Sequence, residues 1–119
     1  MTSFNVVQVS DTHISQSHAY FIHNWECFLE EMDALRPDLV VHSGDVTFNG
    51  PDAPEEIAFG RAQLERLPCP YLVVPGNHDV GEPPPVARLD QPVTEERMAR
   101  WSEQFESCPL WCCQGVPNR

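Results

Sequence analysis

The chain has no lysine. Its seven basic residues are all arginines, they stand against eighteen acids, and the net charge is -11 over 119 residues. A basic face able to hold a nucleic-acid backbone is therefore not expected. Long apolar runs are missing as well, since none approaches the ~20 residues that a membrane-crossing helix requires. The opening MTSFNVVQVS carries neither the basic stretch nor the small-residue cleavage site of a secretory signal, and the expected setting is cytoplasmic. A paired cysteine framework is also lacking. The five cysteines are Cys27, Cys69, Cys108, Cys112 and Cys113, an odd count with only two in the first hundred residues. The cluster at Cys108, Cys112 and Cys113 is a poor zinc site, because adjacent cysteines span a tetrahedron badly.

The acids that are present are unevenly placed. Residues 1–60 hold ten of them against Arg36 alone, whereas residues 61–119 hold eight acids and six arginines. Either the first half carries a solvated acidic surface, the commoner meaning of such an excess, or some of its carboxylates are neutralised by bound cations.

Three short β-branched runs read as buried strands: residues 4–10 (FNVVQVS), 38–43 (DLVVHS) and 71–75 (YLVVP). Their near-continuous valine and leucine suit strands covered on both faces, as in parallel sheets flanked by helices. In the first connection Phe21, Trp25, Phe28, Leu29, Met32 and Leu35 recur at three- and four-residue steps, with Glu26, Glu30 and Asp33 opposite, predicting an amphipathic helix that stops before Pro37. In the second, Asp52 is the expected N-cap, Pro54 falls in the first turn, Glu55 takes the capping-box position, and Ile57, Arg61, Leu64 and Leu67 follow. Residues 81–92 include Pro83, Pro84, Pro85 and Pro92 and are expected to form an extended loop, a lid or a linker. Thr94 is placed to cap a third helix with Met98, Trp101 and Phe105 on its inner face. Residues 107–119 show no periodicity. Strand, helix, strand, helix, strand, loop, helix gives an α/β fold with a small parallel sheet, through right-handed crossovers.

The polar clusters fall at the carboxyl ends of the three strands: Asp11-Thr12-His13, Gly44-Asp45, and Gly76-Asn77-His78-Asp79. Loops leaving parallel strands converge at that edge, where ligands bind in open α/β sheets. Asp, His and Asn together offer oxygen and imidazole donors suited to a divalent ion such as manganese, iron, zinc or magnesium. Two carboxylates that close require a cation, and a central Asp45 could bridge two ions with a hydroxide attacking phosphorus between them. Gly44 and Gly76 would let the backbone turn sharply beside the metals. Taken singly, Asp-x-His is a common surface pair and Gly-Asp an ordinary turn, and Asn77 alone could mark a left-handed turn. Their joint occurrence at three successive strand ends is what points to a metal site.

These blocks, SDTHIS (10–15), HSGDVTFNG (42–50) and VPGNHD (74–79), resemble the calcineurin-like metallophosphoesterase superfamily, and within it the bacterial branch of cyclic-nucleotide phosphodiesterase-like enzymes. The resemblance implies the N-terminal half of a metallophosphoesterase β-sandwich flanked by helices. It implies two divalent metal ions in the complete fold and a small phosphoester substrate. Carried over residue by residue, Asp11 and His13 would hold the first metal, Asp45 would bridge, Asn77 would hold the second, and His78 would protonate the leaving oxygen. Phosphoprotein phosphatases of the superfamily have Asp-Arg where Phe48 and Asn49 stand here, so a protein substrate is not expected. The missing Asp leaves open what orients His78, and Asp79, as its neighbour, is poorly placed to do so.

Beyond His78 there is no histidine, the others being His13, His18, His23 and His42, so the family's later lone His and Gly-His-x-His blocks are absent. The expectation is a partial phosphoesterase domain over residues 1–106 and an irregular, out-of-frame tail over 107–119, holding at most one ion. A catalytically inactive fragment that only binds metal or a partner is the competing reading. His18 and His23 read as surface residues and His42 as a packed one. Oligomeric state is not specified by the sequence.

Overall fold

The computed structural model describes residues 3–83 and 91–105. The expected tail, with Cys108, Cys112 and Cys113, lies outside the described residues, as does the middle of the proline-rich loop. The order is β1 (Val6–Val9), α1 (Ile22–Leu35), β2 (Leu39–His42), α2 (Pro54–Leu64), β3 (Tyr71–Val73), α3 (Asn77–Val80) and α4 (Glu95–Phe105). The strands form one parallel sheet, β1-β2-β3, in the register Val6 to Leu39 and Val40 to Tyr71. That is the predicted α/β architecture, with each crossover carrying a helix.

Much of the core is built from residues whose periodicity marked them, although Phe21 and Leu35, at the two ends of the predicted stripe of α1, are exposed. Trp25, Leu29 and Met32 of α1, Val40 of β2, Ile57 and Leu64 of α2, and Tyr71 and Val73 of β3 are buried together. Each such apolar side chain contributes ~1.5–3 kcal/mol on leaving water. α4 packs on α2 and α3 through buried Trp101 and Phe105, whose rings lie 4.4 Å apart. Arg97 N–H donates to Thr94 Oγ1 at 3.1 Å, which caps this helix as predicted. Residues near the ends of the proline-rich loop are tied together, Glu82 N–H to Gln91 O and Val93 N–H to Glu82 O.

Four local expectations are corrected. β1 is an edge strand among the described residues, so Val6 and Gln8 are exposed and the strand alternates instead of being covered on both faces. Met98 is 40% exposed, because only Trp101 and Phe105 turn inward. α2 starts one residue later than expected, with Ala53 rather than Asp52 as N-cap. Asp52 instead pairs with Arg97 at 2.8 Å, the capping-box position passes from Glu55 to Glu56, and Glu56 is buried. Asn77 adopts no left-handed turn but opens the short helix α3.

Candidate metal centre

The loops after β1 and β2 run side by side and are laced by backbone bonds: Asp11 N–H to Gly44 O, His13 N–H to Asp45 O, and Ile14 N–H to Val46 O. This lacing holds three non-glycine residues in left-handed conformations, Asp11 at φ 56°, His13 at 45° and Asp45 at 57°. Each such conformation costs on the order of 1 kcal/mol or more, and persists because the surrounding bonds over-determine it. The result is that the side chains of Asp11, His13 and Asp45 turn to one point beyond the sheet edge. His13 Nε2 lies 3.8 Å from Asp11 Oδ1 and 3.8 Å from Asp45 Oδ2.

The third loop closes the site from β3. Gly76 passes so near the second loop that a Cβ there would sit 2.6 Å from Asp45 N, a contact no side chain tolerates. Gly44 adopts φ 126°, another conformation that L-residues avoid. The close passage lets His78 N–H donate to Asp45 Oδ1 at 2.9 Å and places the His78 ring against His13, centroids 4.4 Å apart with 21° between planes. His13, Asp45 and His78 each offer a donor atom within 4.8 Å of the others. Asn77 sits one residue before His78 and donates its amide to Glu82 Oε1 at 3.0 Å, which leaves Oδ1 as its donor to a cation. Asp11, His13, Asp45 and His78 are thus brought together, while the Asn77 side chain engages Glu82 beside them.

The donor set fits a divalent ion. His13 Nε2 is buried yet makes no hydrogen bond, which is costly for a polar atom unless something else meets it. Two donors each ~2.1 Å from a common ion stand roughly 3–4 Å apart, and the His13 to carboxylate distances fall in that range. The Asp11 carboxyl is held below the usual carboxylate range, first by the Ser10 side chain and then by Asp45 and His13, against a burial effect of opposite sign. Arg61, Arg66, Arg97 and Arg100 are paired with Glu65, Glu26, Asp52 and Glu96, and none of those pairs involves Asp11 or Asp45.

Several residues that shape the site were not marked as functional in the sequence. Asp79 is fully buried and does not touch the His78 ring. It accepts from Val46 N–H and Gly76 N–H on Oδ2, and from Thr47 N–H and the Thr47 hydroxyl on Oδ1. Burial pushes its carboxyl up while the bonds from Gly76, Thr47 and Val46 pull it down. His78 is oriented by a backbone carbonyl, its Nδ1 lying 2.7 Å from Phe48 O. Since a carbonyl only accepts, Nδ1 carries the proton and Nε2 is left to face the site. A cleft of about 240 Å³ opens beside Asp11, lined by Thr12, Phe21, Asn24, Trp25 and Phe28. A larger one of about 440 Å³ between α2 and α4 contains none of the candidate ligands.

His42 is buried and fully bonded. Gly44 N–H donates to Nδ1 at 3.2 Å, so Nε2 carries the proton and donates to Thr12 Oγ1, whose hydroxyl donates on to Val46 O. This agrees with a packed residue, and it ties both ligand-bearing loops to the end of β2. Burial depresses its imidazole to about 4, partly offset by Asp11. A depressed basic group stays neutral in the folded chain while the unfolded chain takes up the proton, so its contribution is complete above the ordinary value of 6.5 and is lost as pH falls towards 4. Urea unfolding is expected to show about 2 kcal/mol less stability at pH 5 than at pH 7, from this group alone. His42→Gln should flatten that dependence, and an unchanged slope in the variant would refute the assignment.

The family model for calcineurin-like phosphoesterases matches residues 4–116. The chain belongs to that family. This calcineurin-like chain is 39% identical over 85 residues to a probable glycerophosphodiester phosphodiesterase GpdQ of Arcobacter nitrofigilis, covering 65% of the chain and 30% of that protein. It is 34% identical over 82 residues to a probable cyclic nucleotide phosphodiesterase of Moraxella catarrhalis, covering 66% and 28%. A glycerophosphodiester phosphodiesterase GpdQ of Enterobacter lignolyticus is 37% identical over 83 residues, covering 62% and 29%. The matched stretch spans under a third of the length of these curated relatives. Among the described residues no helix is long and apolar enough to cross a membrane.

Proposed function

We propose that this chain carries part of a metal-dependent phosphodiesterase site acting on a small phosphodiester or nucleotide-like substrate. The orphaned His13 Nε2, held between Asp11 and Asp45, is the observation that carries this reading. Asp11, His13, Asp45 and Asn77 are the residues that would hold the metal, within a partial domain over residues 1–106. When bound, a divalent ion supplies Lewis acidity at the phosphoryl group. The names of the relatives support a phosphodiester substrate.

In this reading the residues divide the work. Asp45 draws the second and third loops together through its bond from His78 N–H. His78, with Nδ1–H committed to Phe48 O, presents Nε2 towards the substrate; a second proton taken up from solvent on Nε2 is the one it delivers to the leaving oxygen, which returns the ring to its Nδ1–H form. The cleft lined by Phe21, Trp25 and Phe28 takes the apolar body of the substrate beside Asp11. The free thiols of Cys27 and Cys69 suit a reducing, cytoplasmic setting.

One ion is expected for these 119 residues, because no histidine beyond His78 is present to complete a second set of ligands. Calorimetry with manganese should therefore give a stoichiometry near one, and manganese-dependent hydrolysis of bis-p-nitrophenyl phosphate should stand only slightly above background. No heat of binding, or turnover indifferent to a chelator, would count against the reading. The hydrolysis assay tests the competing inactive-fragment reading, which keeps the ion and loses all turnover.

A further inference from the structure

Glu56 is an acid that the proposed chemistry does not use, yet it is only 3% exposed. It lies in the first turn of α2, and both oxygens are engaged. Oε1 accepts from Asn49 N–H at 2.7 Å and Oε2 from the Ser15 hydroxyl at 2.6 Å. Asn49 N–H and Phe48 C=O are the two ends of one peptide group, and the Phe48 carbonyl is the group that accepts from His78 Nδ1. The sequence is carboxylate, peptide N–H, peptide C=O, imidazole N–H. Hydrogen bonds in such a chain polarise one another, so a negative charge behind the peptide strengthens the acceptor in front of it. Ile14 fixes the same segment from the other side, accepting from Phe48 N–H at 3.2 Å.

We infer that Glu56 is a positioning residue for His78, acting through the Phe48–Asn49 peptide to fix the ring's orientation and its Nδ1–H tautomer. The relay does from α2 what a carboxylate bonded directly to the imidazole would do, and it answers the lack of an acid at position 48. The inference rests on the reading of His78 as the proton donor, but its test needs neither metal nor substrate. It also explains why a carboxylate is buried at this point of α2. Asn49 N–H and the Ser15 hydroxyl could be satisfied by a neutral acceptor, whereas a charge is the stronger source of polarisation.

Nitrogen-15 NMR of the full chain without metal, at about pH 8.5 where an ordinary imidazole is neutral, reads the tautomer directly. Wild type should show His78 as a single Nδ1–H form. Glu56→Gln keeps an acceptor for Asn49 N–H, and should keep that tautomer while its Nδ1 proton shifts upfield as the charge is lost. Glu56→Ala should give the tautomer mixture of an unconstrained ring, with His42 still in its Nε2–H form as the internal control for intact packing. His78 signals unchanged in both variants would overturn the inference. Should Glu56→Ala fail to fold, the Gln variant decides, since an unmoved Nδ1 proton there excludes the relay. Calorimetry with manganese on the wild type is independent of all these outcomes, so loss of the metal reading and loss of the relay are separately visible.

Discussion

Asp79→Ala is expected to unfold the chain, or to leave it so weakened that no cooperative transition survives at neutral pH. The carboxylate gathers four donors from two loops, Val46 N–H, Thr47 N–H, Gly76 N–H and the Thr47 hydroxyl, at 2.8–3.1 Å. Alanine strands the three backbone N–H groups in a place that water does not reach, while the Thr47 hydroxyl keeps His78 O as an acceptor at 2.9 Å. A single buried donor left unpaired costs ~1–3 kcal/mol, so several together cost about 4 kcal/mol or more, against a total stability of ~5–15 kcal/mol for an ordinary domain. Asp79→Asn keeps the shape but presents an amide NH2 to donors on one side, and should rescue at most half of the loss. Urea unfolding followed by circular dichroism checks both variants. A midpoint for Asp79→Ala within experimental error of wild type would show that the two loops are held by something else.

How much of this was legible beforehand depends on the range of the interaction. The strands could be read because valine-rich runs are local, and their parallel arrangement followed from the helical crossovers between them. Asp11, His13, Asp45 and His78 could be placed together because they follow those strands directly. Neither Asp79 nor Glu56 could be assigned. Asp79 occupies the third position of α3, where its bond to Gly76 N–H is a local capping contact, but its other partners lie 32 and 33 residues away. Glu56 escapes a local reading because helix phase turns on one residue: with Asp52 as N-cap the capping-box position falls on Glu55, and with Ala53 it falls on Glu56. The turn at Asn49, which accepts from both Asp52 N–H and Ala53 N–H, delays the helix start. Asp52 was drawn out of the cap by Arg97, a partner from α4 that no local pattern announces. The orienting group of His78 was invisible for a different reason. It is a backbone carbonyl, and any residue could supply it at position 48.

Asp45 and His78 should respond oppositely in metal binding, and the contrast separates a ligand from a neighbour. Imidazole lone pairs lie in the plane of the ring, and the His13 and His78 rings are stacked with only 21° between their planes. Stacked rings direct their lone pairs side by side and not to a common point, so His13 and His78 do not share one ion, despite their proximity. His13 has both carboxylates in front of it, and Asp45 is the one that also anchors the third loop. Asp45→Ala is therefore expected to weaken manganese binding by about 100-fold or more, since even partners one shell further out cost 10–100-fold. Asp45→Asn, which preserves the acceptor for His78 N–H, should lose most of that affinity while remaining folded, because it removes the charge and not the shape. His78→Ala should bind manganese within about threefold of wild type, the expectation for a group that handles a proton and does not hold the metal. Calorimetry on the three variants decides the matter. Equal affinity in wild type and Asp45→Asn would remove Asp45 from the centre, and a tenfold or greater loss in His78→Ala would make His78 a ligand and transfer the proton to another group.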